Sequence, residues 1–258
     1  MSDRAVSADG ISVAYEARGR GTPAIVFVHG WSCDRTYWRH QMDFFADRFQ
    51  VVAVDLGGHG ESGVGRPAWT MKSFGGDVVA VADQLALGDL VMVGHSMGGD
   101  VIVQAARMRP EGVTGLAWVD VYMTLGRPRT QEQIEQLVGV VSEDFAQGVR
   151  GLVGRMFLPG SDPALAEWVA DDMSSADPEI GIDVLRHAIS NEPNLLRLLP
   201  ELTTPVVAIN GDYGQIDAES LERYGVRPVH MPGAGHFLML EDPETFNRIL
   251  SDTIDAFL

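Results

Sequence analysis

Short apolar runs alternate with amphipathic stretches over the first 120 residues of the chain. Four segments are apolar at successive positions, which is typical of strands buried on both faces. They are TPAIVFVHG (22–30), FQVVAVD (49–55), DLVMVGH (89–95) and VTGLAWVD (113–120). Between them, residues 34–48, 73–87 and 97–110 have apolar positions at helical spacing, and Pro110 ends the last of these stretches. The pattern therefore predicts parallel strands that alternate with helices.

The two ends of the chain extend this pattern. Alternating strands on either side of Ala8-Asp9-Gly10 predict an antiparallel hairpin at the start. Near the other end the pattern predicts strands at 205–210 and 226–231, and helices at 217–224 and 243–257. The last helix has a clear start, with Asp242 as N-cap and Pro243 in its first turn.

Residues 121–200 break the alternation, because they hold helix-like stretches separated by Pro and Gly and no convincing strand. We therefore expect a doubly wound, mostly parallel α/β sheet built from residues 1–120 and 201–258, with residues 121–200 as a helical cap. Such sheets bind ligands at the carboxyl ends of their strands. An insertion that leaves the end of the 113–120 strand is expected to cover that edge as a lid.

Composition limits the function classes. The net charge of -17 over 258 residues argues against nucleic acid and anionic membranes as partners, because both require a basic surface. The single Cys33 excludes an internal disulfide bond, and no apolar run reaches the roughly 18 residues that span a bilayer. The N-terminal residues lack the apolar core of a signal peptide. We expect a soluble cytoplasmic protein, as a monomer or homodimer.

The segment VGHSMGGD matches the pattern G-x-S-x-G at Gly94, Ser96 and Gly98. A predicted strand precedes it and a predicted helix follows, which is the context of a nucleophile elbow. The tight reversal holds the serine hydroxyl out of the sheet at the helix N-terminus, where developing negative charge is favoured. Ser96 is the candidate nucleophile.

His236 lies in the loop between the last predicted strand and the last predicted helix. A histidine at the strand ends can reach Ser96 and accept its proton. The other histidines lie in glycine turns or outside any motif, and no His, Asp or Cys cluster has metal-ligand spacing. We expect neither a metal nor a cofactor.

Four segments, VFVHGW, DLGGHGES, GHSMGG and GAGHFLMLEDPETF, resemble the α/β-hydrolase superfamily. The resemblance covers essentially the whole chain and is nearest to the cap-bearing branch of serine esterases, C–C hydrolases and cofactor-free haloperoxidases. It implies an oxyanion hole made of two backbone N–H groups, on Trp31 and Met97.

The same resemblance implies a catalytic acid in a G-x-x-D pattern after the 205–210 strand, but the slot reads Gly211-Asp212-Tyr213-Gly214. Some members of the family place the acid at the end of the preceding strand, where this chain has Asp120. A triad is defined by geometry rather than by chain position. We therefore favour Asp120, with Asp212 and then Asp217 as alternatives, although Asp217 also reads as a helix N-cap.

These features predict a serine hydrolase that cleaves a small to medium carboxylic ester or lactone through an acyl-enzyme. C–C bond hydrolysis and cofactor-free perhydrolysis are alternatives at the same site, and a decayed hydrolase that only binds a ligand is a third. The candidate pocket residues are His95, Tyr122, Phe157 and Trp168. Large apolar side chains in the cap indicate an apolar, ester-like small molecule as substrate.

Overall fold

The computed structural model describes residues 3–258, which form one eight-stranded sheet flanked by helices. The strands are β1 (Asp3–Val6), β2 (Ser12–Arg18), β3 (Ala24–Val28), β4 (Gln50–Val54), β5 (Leu90–His95), β6 (Val113–Val119), β7 (Val206–Asn210) and β8 (Val226–His230). Their spatial order is β1-β2-β4-β3-β5-β6-β7-β8. The pairs β1·β2 and β2·β4 are antiparallel and all later pairs are parallel, so the predicted hairpin and mostly parallel sheet are confirmed.

The central strands are buried along their whole length, as their uninterrupted apolar runs predict. Every residue of β3, β5 and β7 is buried. A strand that is buried at consecutive positions needs packing on both faces of the sheet, since its side chains alternate between them. Helix α2 (Met71–Gln84) packs against α3 (Met97–Met108), while α1 (Arg39–Phe45) contacts the C-terminal helix.

Five helices lie between β6 and β7, in the segment for which the sequence predicts no strand. They are α4 (Gln131–Glu143), α5 (Phe145–Val153), α6 (Pro163–Ser174), α7 (Pro178–Ile189) and α8 (Glu192–Leu198). Four of the five begin at a side-chain N-cap, at Thr130, Asp144, Asp162 and Asp177. We refer to residues 121–205 as the helical insertion.

Side-chain contacts join the helical insertion to the sheet. The Trp31 Nε1–H donates to the carbonyl oxygen of Gly181 in α7 at 2.8 Å, and the Tyr37 hydroxyl donates to Asp172 Oδ2 in α6 at 2.8 Å. Tyr37 also packs its ring on Trp168, with 5.0 Å between the ring centroids. These contacts hold the helices above the loops that follow β3.

Three helices follow β7: α9 (Ala218–Arg223), the single turn α10 (Leu238–Glu241) and α11 (Pro243–Asp255). Asp242 caps α11 by accepting a hydrogen bond from the Thr245 N–H, and Pro243 is its first residue, as predicted. Within residues 3–258, no helix is both long enough and apolar enough to cross a membrane.

Candidate active site

Ser96 stands at the junction of β5 and α3 with a strained backbone. Its φ is 51° and its ψ is -119°, a backbone conformation that residues other than glycine rarely adopt. The Ser96 N–H donates to the Val119 carbonyl at 2.9 Å, and the Ser96 carbonyl accepts from the Gly99 N–H at 2.9 Å. These bonds hold the strained turn, so that the hydroxyl projects from the end of the sheet at the helix N-terminus.

The glycines of G-x-S-x-G are required by backbone contacts on both sides of Ser96. A Cβ atom on Gly94 would lie 2.3 Å from the Gly98 carbonyl oxygen, and one on Gly98 would lie 2.5 Å from the Val28 carbonyl oxygen. Neither position can accommodate a side chain without moving the main chain. The motif therefore places α3 directly against β3 and β5.

His236 pairs with Asp120. The His236 Nδ1–H donates to Asp120 Oδ2 at 2.5 Å, and the other carboxylate oxygen accepts from the Gly211 N–H at 3.1 Å. The Asp120 side chain is fully buried. Asp120 follows β6 with a φ of 51°, which turns its carboxylate toward the histidine loop. The Nδ1–H bond leaves Nε2 of His236 as the basic nitrogen.

The two other carboxylates that the sequence leaves open lie elsewhere. Asp212 accepts from His230 Nε2 at 2.7 Å and from the Gly233 N–H at 2.7 Å, on the exposed side of the loop. Asp217 caps α9 by accepting from the Ser220 N–H at 3.0 Å. Of the three candidates, the structure brings only Asp120 to His236.

The His236 loop is held by groups from two directions. Glu241 accepts the N–H groups of Gly235 and Phe237, both at 3.1 Å, so its carboxylate brackets the histidine. The His236 N–H itself donates to the Met156 carbonyl of the helical insertion at 2.8 Å. Sequence reasoning missed Glu241, although it lies five residues after His236 and just before the predicted helix cap.

The peptide between Gly30 and Trp31 approaches Ser96 closely. A Cβ atom on Gly30 would lie 3.3 Å from Ser96 Cβ. The Gly30 carbonyl accepts from His29 Nδ1–H at 2.8 Å, and His29 Nε2 accepts from the Leu56 N–H at 3.0 Å. Because a peptide unit is planar and trans, fixing that carbonyl also fixes the direction of the Trp31 N–H. Burial lowers the pKa of His29 to about 4, so the ring is neutral and can make both bonds.

The second expected donor is the N–H of Met97, the first residue of α3. The first N–H groups of a helix have no partner inside it and are free to bind an anion. Met97, Trp31 and Ser96 line the same cavity. Both residues that are expected to supply oxyanion donors therefore lie beside the nucleophile at this cavity.

A cavity of about 570 Å³ lies between the carboxyl ends of the strands and the helical insertion. The sheet side contributes residues from the loops that carry Ser96, Asp120 and His236. The insertion contributes a mixed wall, made of Arg127, Arg129, Gln133, Met156, Leu185, Ala188, Ile189 and Glu192. A volume of this size is typical of sites for small molecules.

Of the four candidate pocket residues, only Tyr122 lines this cavity. His95 lies behind it, 1% exposed, and donates its Nε2–H to the His236 carbonyl at 2.9 Å. Phe157 stacks on Phe237, with 5.3 Å between the ring centroids. Trp168 faces a separate surface depression beside Arg39. The prediction was wrong for these three because their neighbours in space come from distant parts of the chain.

Sequence reasoning missed other cavity residues. Tyr213 places its ring 5.2 Å from the His236 ring, and Asp100 and Glu192 bring two buried carboxyl groups to the wall. Asp100 carried a usable signal, because it follows Ser96 by four residues on a predicted helix and so lies on the same face. Tyr213 and Glu192 had no comparable signal.

A family model described as the alpha/beta hydrolase family matches residues 25–249 of the chain. The chain belongs to the alpha/beta hydrolase family. The matched residues include Ser96, Asp120 and His236. The protein is accordingly a hydrolase.

Three similar proteins are an acetyltransferase component, a methyl ester esterase and a thermophilic esterase. This alpha/beta hydrolase is 30% identical over 253 residues to the dihydrolipoyllysine-residue acetyltransferase component of the acetoin cleaving system of Cupriavidus necator, with 94% of the chain and 66% of that protein's length in the match. It is 28% identical to a pimeloyl-[acyl-carrier protein] methyl ester esterase of Methylococcus capsulatus, over 93% of the chain and 97% of that protein. A solved thermophilic esterase from Thermogutta terrifontis superposes with a TM-score of 0.85 and 26% identity, over 100% of this chain and 99% of that one.

Proposed function

We propose that this protein is a serine hydrolase that cleaves a small to medium carboxylic ester or lactone through an acyl-enzyme. The observation that carries the proposal is the 2.5 Å bond from His236 Nδ1 to Asp120, in the same cavity as Ser96. A nucleophile, a base and a buried carboxylate that orients the base are the three components of covalent acyl transfer.

In the proposed first half-reaction, Ser96 Oγ attacks the carbonyl carbon of the ester while His236 Nε2 accepts the hydroxyl proton. The negative charge that develops on the carbonyl oxygen is bound by the N–H groups of Trp31 and Met97. Donors of this kind typically contribute about 3 kcal/mol each to the transition state. Collapse of the intermediate breaks the bond to the alcohol oxygen, which receives the proton from His236.

In the second half-reaction a water molecule takes the place of the alcohol. His236 accepts its proton, the hydroxyl oxygen bonds to the acyl carbon, and the bond to Ser96 Oγ breaks as Oγ takes the proton back from His236. The products are a carboxylic acid and the free enzyme. Asp120 keeps its charge throughout, because its task is to orient the imidazole and to stabilise the imidazolium that forms twice.

Two of the similar proteins support an ester as the substrate. The Methylococcus relative and the Thermogutta structure are both named as esterases. Apolar side chains on the helical insertion, Met156, Leu185 and Ile189, line the cavity and would accommodate an aliphatic or aromatic part of the substrate.

C–C bond hydrolysis is the second candidate, and one observation favours it. Arg127 and Arg129 both line the cavity. Such guanidinium groups can bind the carboxylate of a diketone acid. The same Ser96 and His236 would then cleave a carbon–carbon bond next to a carbonyl group.

The deciding experiment is hydrolysis of p-nitrophenyl esters from acetate to decanoate by the wild-type protein and by Ser96→Ala. We expect turnover that depends on Ser96, with a chain-length optimum set by the cavity. A fluorophosphonate should label the wild-type protein and not the variant. Folded protein that neither labels nor turns over any ester, lactone or diketone above the Ser96→Ala level would overturn the proposal.

A further inference from the structure

Asp100 lies one helical turn from the nucleophile, inside the same cavity. It follows Ser96 by four residues in α3, which places it on the same helix face and about 6 Å along the axis. The side chain lines the cavity, yet the residue is only 3% exposed. A carboxyl group in this position faces whatever part of a substrate extends past the reacting carbonyl.

Two further polar side chains meet Asp100 there, and we call these three residues the distal recess: Asp100, Tyr122 and Glu192. The Tyr122 hydroxyl donates to Asp100 Oδ2 at 3.2 Å. Glu192 is 4% exposed and lines the cavity. All three residues are thus presented to a bound molecule.

The distal recess keeps unused hydrogen-bonding capacity. Glu192 Oε1 accepts the N–H groups of Gly126 and Arg127, at 2.9 and 3.1 Å, but Oε2 accepts none from residues 3–258. Beside the recess, Asn191 faces Asp100, and its buried Nδ2 has no partner at full hydrogen-bonding geometry within the described chain. A buried polar group without a partner costs about 1–3 kcal/mol, so a ligand that completes these bonds gains affinity.

The protonation state of Asp100 decides whether the distal recess binds a neutral or a cationic ligand group. Burial raises the pKa of Asp100 to about 7, and the neighbouring Glu192 acts in the same direction. Near neutral pH, Asp100 therefore carries a proton for much of the time and can both donate and accept. Two cations line the same cavity: the Arg127 side chain is 79% exposed and lies 3.7 Å from Asp217, and Arg129 lies near enough to Tyr122 to act on its pKa in the lowering direction.

We propose that the distal recess binds a hydroxyl group of the substrate, which is then a hydroxyacyl ester or a hydroxylated lactone. This inference rests on the proposed function and deepens it. The hydroxyl donates to Glu192 Oε2, the carboxylate oxygen that accepts no hydrogen bond within residues 3–258, and it accepts from Asp100 or Asn191. An ammonium group can only donate and would need both carboxyl groups ionised in a buried site.

The test uses ethyl hexanoate and its derivatives that carry a hydroxyl, methoxy or ammonium group at carbon 3 or carbon 5, with kcat/KM measured by pH-stat. We expect the hydroxy ester at one of the two positions to exceed both the parent and its methoxy derivative by at least about tenfold, because a site that hydrogen-bonds a hydroxyl rejects analogues without it. Equal rates for the three would overturn the proposal, and so would a preference for the ammonium ester.

Variants locate the effect. Asp100→Leu is expected to reduce the ratio of hydroxy to parent ester to near one, while the same change at the exposed Asp89 leaves the ratio at its wild-type value. Tyr122→Phe removes one hydroxyl from the recess and should reduce the ratio severalfold even if Asp100→Leu does not fold. A wild-type ratio in both recess variants would contradict the assignment.

A binding measurement separates this inference from the hydrolase proposal. Ser96→Ala is titrated with the hydroxy and parent esters and followed by NMR. Tighter binding of the hydroxy ester, by about tenfold, supports the recess even if no ester is turned over. Ester hydrolysis that depends on Ser96, combined with equal binding of the two esters, keeps the hydrolase proposal and rejects the recess.

Discussion

Ser96 and Asp120 both adopt a left-handed backbone, with a φ of 51° in each case. They end the neighbouring strands β5 and β6, and each is held there by a backbone bond to the next strand along: Ser96 N–H to Val119 and Asp120 N–H to Ile209, both at 2.9 Å. A residue in such a conformation costs about 1–3 kcal/mol. The sheet maintains this strain at two positions, and both turn a reactive side chain toward the cavity.

The Asp120 carboxylate is the residue whose loss should damage catalysis most selectively. We expect Asp120→Asn to lower kcat by about 10³- to 10⁴-fold, because an amide facing His236 no longer holds the ring tautomer that leaves Nε2 basic. The Oδ1 bond to the Gly211 N–H can be kept by the amide oxygen, so the fold is retained. Ester hydrolysis and thermal unfolding, measured side by side, check both parts.

Asp212→Asn and Asp217→Asn are the matched controls. Asp212 lies beside His230, and Asp217 caps α9, a task that asparagine performs equally well. Each should change kcat by less than about tenfold, far below the loss expected from the central carboxylate. A ranking in which either control loses more activity than Asp120→Asn would move the catalytic acid to the β7 loop.

At the scale of elements, close packing of α3 on β3 fixes the position of Ser96 at the start of the helix. We expect Gly98→Ala to destabilise the protein by more than about 2 kcal/mol, since the added Cβ would lie 2.5 Å from the Val28 carbonyl oxygen. Urea unfolding followed by circular dichroism gives the free energy of unfolding.

Gly76→Ala provides the comparison on the neighbouring helix. Gly76 lies in α2, and a Cβ there would meet no atom within 4 Å. The same substitution should therefore stabilise the protein by up to about 1 kcal/mol through helix propensity alone. If the two substitutions had equal effects, close packing of α3 would not be the reason for the glycine at position 98.

Elements were predictable to the extent that local patterns determine them. The apolar runs place every central strand, and the Asp242-Pro243 signal marks the start of α11. The helix predicted at 73–87 begins at Met71, because Thr70 and Ser73 form a capping box that apolar spacing does not reveal. The stretch 34–48 divides into a 3₁₀ turn, Arg35–Trp38, and the shorter α1, since Asp34 caps the turn first.

At the scale of the whole molecule, three buried histidines make stability depend on pH. Burial lowers the pKa of His29 to about 4 and that of His59 to about 3, and it holds the pKa of His95 well below its usual value. Below pH 6.5 these histidines bind protons in the unfolded chain but stay neutral in the folded protein. Stability is therefore complete above pH 6.5 and is lost as the pH falls toward 4.

Asp100 opposes this loss, because its pKa in the folded protein, about 7, lies above the ordinary value of 3.8. Its contribution grows as the pH falls from 7 toward 4. Burial also raises the pKa of Asp55, Asp77 and Asp172, which act in the same direction as Asp100. The three histidines together outweigh these carboxyl groups, and we expect the free energy of unfolding to fall by about 1–3 kcal/mol per pH unit below pH 6. Urea unfolding at pH 5, 6 and 7 measures the slope, which His59→Asn should reduce and Asp100→Asn should steepen. A flat profile would contradict the expectation.

The candidate site was predictable where a residue belongs to a local motif. Ser96 and the glycines beside it are set by a strand-to-helix turn a few residues long. The wall of the cavity is different, because Glu192 lies 96 positions beyond Ser96 and reaches it only through the packing of the helical insertion. Phe157 and Trp168 were placed in the pocket wrongly for the same reason: a pattern of large apolar residues does not say which of them face inward.

The loop after β7 does not supply the carboxylate that pairs with His236, because that carboxylate, Asp120, follows β6. Gly214 sits where a Cβ would meet Met123 Sδ at 2.6 Å, and the adjacent Tyr213 covers the His236 ring. Under the proposed mechanism this loop supplies no reacting group, so only the positions that its packing fixes, such as Gly211 and Gly214, constrain its sequence. In a lineage that inherits this arrangement, substitutions in the loop can change the substrate specificity of the enzyme while the catalytic groups stay intact. Directed evolution of specificity would start there.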